Sequence, residues 1–158
     1  MLRIGHGFDA HCYVLDRPLI LGGVTIPYEK GLLAHSDGDV LIHALIDALL
    51  GAAGLGDIGV HFPDTDKQYK NVDSRLLLTQ TAQLISKSAF RLVNADITLI
   101  AQEPKLKPYI EAMCNNLGVD LQVARQQLNI KATTTEGMGF TGRKEGIAAH
   151  AVVLITAI

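Results

Sequence analysis

Residues 39–53 read DVLIHALIDALLGAA, a stretch of helical length with almost no polarity. Its polar side chains are Asp39, His43 and Asp47, spaced i, i+4, i+8, so they form one stripe on one face. A helix that is apolar elsewhere is buried nearly all round. Whatever fold the chain takes must wrap this helix in other elements, and the stripe must face something other than bulk water. A metal pocket suits it. For His43 alone, a solvated stripe or a hydrogen-bonded core histidine is the plainer reading. Asp47, one turn on, can accept the second ring N–H of His43, and a helix salt bridge would explain it equally well.

The remaining elements alternate around this helix. Leu2–Cys12 reads as a strand, and Leu19–Leu21 and Val24–Ile26 flank Gly22-Gly23, a hairpin signature. Residues 28–38 and 54–70 are polar or rich in Gly, Asp and Pro and read as loops. Asp73 or Ser74 is placed to cap a helix running to about Ser88. A strand follows over Phe90–Ala101, then a helix over Pro108–Leu117 closed by Gly118, and a short helix over Asp120–Gln127. Leu128–Thr133 is a strand, and a Gly-rich loop leads to the last strand from Gly146. This order predicts one α/β (α+β) domain over residues 1–158: a mixed β-sheet with helices packed on one face.

Composition narrows the function. Hydrophobic residues make up 48 % of the chain, enough for a real core, and the net charge of −2 with no basic run argues against a nucleic-acid partner. Cys12 and Cys114 have no metal or CxxC spacing and read as free thiols of a cytoplasmic protein. The N-terminal MLRIGHGFDAH carries charge and His where a signal peptide needs an apolar run. Residues 146–158 are too few to span a bilayer and contain His150, so no membrane partner is expected.

The sharpest chemical signal is Asp9-x-His11. Residues two apart on a strand share a face, so both side chains can converge on one ion. With His43 they form a carboxylate-and-two-imidazole set suited to zinc, with the fourth position open for substrate. Three further clusters have plain structural readings as well. In KATTTEGMGFTGR, residues 131–143, hydroxyls and backbone N–H groups can wrap phosphate oxygens, Arg143 can pair with phosphate, and Glu136 offers a hard oxygen for Mg²⁺. Thr runs also favour strands, and Gly-rich loops are often simple turns. Asp57, Asp64 and Asp66 sit in loops that can line a polar pocket or simply face water. His35 and Ser36 can contact an anion at a helix N-terminus, or Ser36 and Asp37 can merely cap it.

Taken together, the stretches RIGHGFDAH, GGVTIPYEKGLLAHSDGDVLIHALIDALLGA, LGDIG, HFPDTD, ITLIAQEPKLKPYI and NIKATTTEGMGFTGRKEGIAAHAV resemble the 2-C-methyl-D-erythritol 2,4-cyclodiphosphate synthase family of the non-mevalonate isoprenoid pathway. They run in family order along essentially the whole chain. The resemblance implies a homotrimer with active sites between subunits. It implies a substrate, 4-diphosphocytidyl-2-C-methyl-D-erythritol 2-phosphate, whose 2-phosphate attacks the β-phosphorus and expels CMP. It implies zinc on Asp9, His11 and His43, and a second metal, Mg²⁺ or Mn²⁺, at Glu136. His35, Ser36 and Thr134 would stabilise the transferring phosphoryl group.

By the same resemblance Asp57, Ile58 and Gly59, with Phe62, Pro63, Asp64, Thr65 and Asp66, would hold the erythritol. Ala101, Gln102, Glu103, Pro104, Lys105, Leu106 and Lys107, with Thr133, Thr134 and Thr135, would hold the cytidine side. Phe140 and Arg143 match positions near the phosphates and the central cavity of the trimer. The chain is expected to be the single synthase domain, not the two-enzyme fusion known in this pathway. Two other classes stay open on the residues alone: a zinc phosphohydrolase using metal-activated water, and a non-catalytic oligomeric binding module stapled by its metal.

Overall fold

The computed structural model describes residues 1–158. Its frame is a five-stranded sheet, built from β1 (Leu2–Leu15), β4 (Lys30–Leu32), β5 (Phe90–Ile100), β6 (Leu128–Thr133) and β7 (Gly146–Ala157). Their spatial order is β4-β1-β7-β5-β6, antiparallel throughout except for the parallel pair β5/β6. The mixed sheet expected from sequence is present. The hairpin around Gly22-Gly23 stands apart from it as β2 (Leu19–Leu21) and β3 (Val24–Ile26). Helices α1 (Val40–Ala53), α3 (Ser74–Lys87) and α4 (Ile110–Leu121) are joined by two single-turn helices, α2 (Ile58–His61) and α5 (Gly139–Gly142).

The burial of α1 follows from its composition. Val40, Leu41, Ile42, Ala44, Leu45, Ile46 and Ala48 are fully buried. The helix lies against β1 with Ala44, Ala48 and Ala52 towards the strand, and the strand answers with Gly5 and Gly7. A Cβ on either glycine would come within 1.9 Å of an α1 carbonyl, from Ala48 or Ala44 respectively. Glycine is required there because nothing larger admits so close an approach. Alternation then places Asp9 and His11 on this same helix side, beside the first turns of α1.

The other face of the sheet carries no helix. Ile4, His6 and Phe8 of β1 are exposed there, and Val152 of β7 stands opposite His6. Asp96 of β5 and Lys131 of β6 form an ion pair on its outer part.

Four local readings are corrected. Residues 28–38 are not all loop, since Lys30–Leu32 pairs with β1 as a short edge strand. Gly31 hides this strand from propensity, yet it sits against the carbonyls of Arg17 and Pro18, where a side chain would collide. Residues 54–70 contain α2 and a 3₁₀ turn at Lys67–Tyr69, capped by Asp57 and Asp66. Gly118 does not close α4, which runs to Leu121 and ends on Gln122 in the left-handed conformation. Asp120–Gln127 is accordingly not a helix of its own: it joins the last turn of α4 to a 3₁₀ turn at Arg125–Gln127.

Candidate active site

The stripe on α1 splits into three separate jobs. Asp39 caps the helix, and its carboxylate accepts the backbone N–H groups of Ile42, Gly22 and Gly23. It thereby ties the β2/β3 hairpin to α1. Burial and the neighbouring Asp37 push its pKa up to about 6, against the pull of those three N–H groups. Asp47 does not reach His43. Its carboxylate instead accepts the N–H of Ile58 at 2.7 Å and pins the start of α2. The helix salt bridge weighed for Asp47 is not formed either.

His43 is the member that meets Asp9 and His11. The three ligand atoms lie within 4.8 Å of one another. The Asp9 Oδ2 atom is 2.8 Å from His11 Nε2 and 3.0 Å from His43 Nδ1, and the two ring nitrogens are 3.2 Å apart. A tetrahedral zinc with bonds of about 2.0–2.2 Å sets its ligand atoms roughly 3.3–3.6 Å apart. A few tenths of an ångström outward would accommodate the ion, so the donor set fits zinc in both chemistry and geometry.

Burial pushes Asp9 up, but hydrogen bonds and charge from His11 and His43 overcome it and hold the carboxyl well below the usual carboxylate range. Burial pushes His43 down, yet the Asp9 carboxylate overcomes that and leaves its pKa raised.

A pocket of about 380 Å³ opens over the cluster. Asp9, His11 and His43 line it together with His35, Ser36, Ile58, Gly59, Phe62, Pro63 and Asp64. Those predicted positions therefore converge. Asp57 caps α2 and is not a lining residue, and the side chain of Asp66 turns to Gln68 while its carbonyl lies 3.4 Å from His35 Nε2. Thr65 is in the same turn but is not a lining residue. Tyr69, Val72 and Leu77 line the pocket and were not anticipated, because apolar residues before and within α3 look like ordinary core.

The second predicted group is gathered elsewhere. The backbone N–H of Ala101 donates to the Thr133 carbonyl, that of Gly137 donates to Gln102, and Lys144 pairs with Glu103. Residues 101–107 and 133–136 thus form one surface at the end of β5 and β6, with Phe140 and Arg143 on the following turn. None of them lines the pocket over Asp9. One register row runs Ala10, Ala148, Ile100, Thr133, so the two groups lie at the same end of the sheet. Three strand spacings separate them, on the order of 14 Å.

Two groups of chemistry at one sheet end, one around a metal-ligand triad and one rich in hydroxyls, can be compared with known proteins. The profile of the YgbB family matches residues 2–156. The chain belongs to the YgbB family. A relative from Haemophilus influenzae, a 2-C-methyl-D-erythritol 2,4-cyclodiphosphate synthase, is 59 % identical over 155 residues, 98 % of each chain. A Clostridium botulinum relative of the same name is 58 % identical over 154 residues, 98 % of this chain and 99 % of its own.

Among solved structures, the bifunctional IspDF of Campylobacter jejuni superposes with a TM-score of 0.97 at 49 % identity. The match covers all of this chain and 43 % of that one. IspF of Plasmodium falciparum, in a CDP complex, gives 0.87 at 34 % identity, over 99 % of this chain and 96 % of that one. No helix in this YgbB-family chain is long and apolar enough to cross a membrane.

Proposed function

We propose that the chain is a 2-C-methyl-D-erythritol 2,4-cyclodiphosphate synthase. It converts 4-diphosphocytidyl-2-C-methyl-D-erythritol 2-phosphate to the cyclic diphosphate and CMP, in non-mevalonate isoprenoid precursor synthesis in the cytoplasm. The observation that carries this reading is the three-donor cluster of Asp9, His11 and His43 under a pocket lined by His35 and Ser36. Full-length identity to synthases of that name supports it.

In the reaction an oxygen of the 2-phosphate forms a bond to the β-phosphorus. The bond from that phosphorus to the oxygen bridging to the α-phosphate breaks, and CMP leaves with the electron pair. The nucleophile belongs to the substrate, so the protein has to position and neutralise charge. The pocket lining holds one serine, Ser36, and no cysteine.

Asp9, His11 and His43 would hold zinc, which supplies Lewis-acid neutralisation of a phosphate oxygen. His35, Ser36 and Thr134 would steady the phosphoryl group in transfer. Glu136 would hold Mg²⁺ or Mn²⁺ against the diphosphate; a single exposed carboxylate beside the Thr134 hydroxyl suits a hard ion that keeps phosphate and water as its other ligands. Asp57, Ile58, Gly59 and residues 62–66 would hold the erythritol, and residues 101–107 with 133–135 the cytidine side.

The two groups do not share a pocket within one chain, and this supports a homotrimer in which a neighbour brings its Thr134 and Glu136 to Asp9. The uncovered apolar sheet face offers the surface for it. Incubation with the cytidyl substrate, zinc and Mg²⁺, followed by ³¹P NMR, tests the reaction. A cyclic diphosphate together with CMP is expected; free phosphate would point to hydrolysis and remove the proposal.

A further inference from the structure

The far side of His43 carries an arrangement that the reaction scheme leaves unused. Ser74, the first residue of α3, is fully buried, and its Oγ lies 2.9 Å from His43 Nε2. That same hydroxyl donates to Asp37 Oδ1. Asp37 also accepts the backbone N–H groups of Ser74 at 2.9 Å and Asp39 at 3.1 Å. An ionised carboxylate only accepts, so the single hydroxyl hydrogen of Ser74 is committed to Asp37. The lone pairs of Ser74 Oγ then face His43 Nε2. This contact is a hydrogen bond only if Nε2 carries the hydrogen. Nδ1, on the other side of the ring, is aimed at Asp9 Oδ2 and His11 Nε2.

We infer that Asp37 and Ser74 are positioning residues for the metal centre: acting in series, they hold His43 with Nε2–H turned inward and leave Nδ1 as its metal-binding atom. Ser36 does not fill this role. Its Oγ lies 3.1 Å from Nε2 and accepts the Gly38 N–H; once Nε2 carries the hydrogen for Ser74, Ser36 has no other acceptor for its own, and it lines the pocket. That hydroxyl is free to turn to an anion in the pocket, whereas Ser74 has no such freedom. A carboxylate at the end of the series also strengthens the imidazole as a ligand. The inference rests on the zinc reading above and extends it to two residues that touch neither metal nor substrate.

The test uses full-length protein labelled with ¹⁵N-histidine and loaded with zinc. In wild type, His43 Nε2–H should give a downfield, slowly exchanging proton signal. In Ser74→Ala and in Asp37→Asn that signal should shift upfield and exchange faster. Zinc affinity, measured by competition with a chelator, should fall about 10–100-fold, the range for losing an outer partner of a metal-bound histidine. Circular dichroism should stay unchanged.

Wild-type affinity in both variants, or an unmoved Nε2 signal in both, overturns the inference. Should Ser74→Ala fail to fold, Asp37→Asn decides alone by the same two readouts. It leaves every buried side chain of α3 in place, and an amide that can donate to Ser74 would free the hydroxyl hydrogen to point at Nε2. Wild-type protein that takes up no zinc fails differently: it removes the zinc reading itself, on which the inference stands.

Discussion

At the scale of single residues, the site depends on one carboxylate oxygen. Asp9 Oδ2 faces both His11 and His43, so the triad has no spare member. His43→Ala should abolish zinc binding and activity while the fold persists, because the helix around it is held by apolar contacts on its other faces. Metal analysis and circular dichroism check this, and a variant that keeps stoichiometric zinc would sink the assignment. In the proposed reaction Thr134 has a different task. As a preorganised donor to a developing charge it should matter more in the transition state than in the ground state. Thr134→Ala should lower kcat by roughly 10²-fold and change substrate affinity much less. Calorimetric titration in Ca²⁺ beside steady-state rates in Mg²⁺ separates the two; a Kd that rises as far as kcat falls would refute the role. The polar stripe on α1 was legible from spacing alone, but its division of labour was not. Asp39, His43 and Asp47 each also face a partner 11 to 34 residues away, and helical periodicity carries no information about those.

At the scale of elements, the site is placed by how closely α1 lies on β1. Gly5 and Gly7 admit the carbonyls of Ala48 and Ala44, and that contact fixes where His43 stands relative to Asp9 and His11. Gly7→Ala would drive a methyl into the Ala44 carbonyl, with the Ala48 nitrogen of the same helix beside it and no flexible side chain to yield. Destabilisation of about 2 kcal/mol or more is expected, within the cost of overpacking a tight core, together with weaker zinc binding. Denaturant unfolding measures the first, and an unchanged midpoint would show that the helix can lift away freely. The long strands, the hairpin and α1 could be read from the chain because their patterns are strong and long. β4 and the end of α4 could not. Glycines sit in both, at Gly31 and Gly118, for packing reasons that local propensity reads as breaks.

For the molecule as a whole, two predictions concern pH and assembly. Asp39 is raised from 3.8 to about 6, so its contribution to stability is complete below 3.8 and lost as pH rises through about 6. His43 is raised above 6.5, so its contribution is complete below 6.5 and lost as pH passes its higher folded value. Asp9 is lowered, so its contribution is present above 3.8 and lost only in strong acid. Metal-free protein should therefore unfold at a lower temperature at about pH 8 than at about pH 5. Zinc must displace the proton on His43 Nδ1, so its binding strengthens as pH rises and the stabilisation it confers should widen over the same interval. Thermal scans with and without zinc at both pH values check this, and a metal-free midpoint higher at pH 8 would contradict it.

For assembly, Ile4→Asp with Phe8→Asp places two charges on the uncovered sheet face, where both residues are exposed. Light scattering should then report a monomer that binds zinc but has lost activity, because in the proposed trimer Thr134 and Glu136 would no longer reach a neighbour's pocket. A trimer mass would show that this face is not the interface.

The sequence by itself determined the mixed sheet, the buried helix and the Asp-x-His pair, and so the kind of metal site that can form. Each rests on a short-range rule: apolar periodicity, alternation along a strand, or ligand chemistry at fixed spacing. Only the tertiary structure decided that His43 joins Asp9 and His11, that Ser74 and Asp37 stand behind it, and that Thr134 and Glu136 lie outside that pocket. Those outcomes depend on where α1 and α3 dock against the sheet and on the three strand spacings between β1 and β6. Such placements are set by packing between segments far apart in the chain, and no local window of residues contains them.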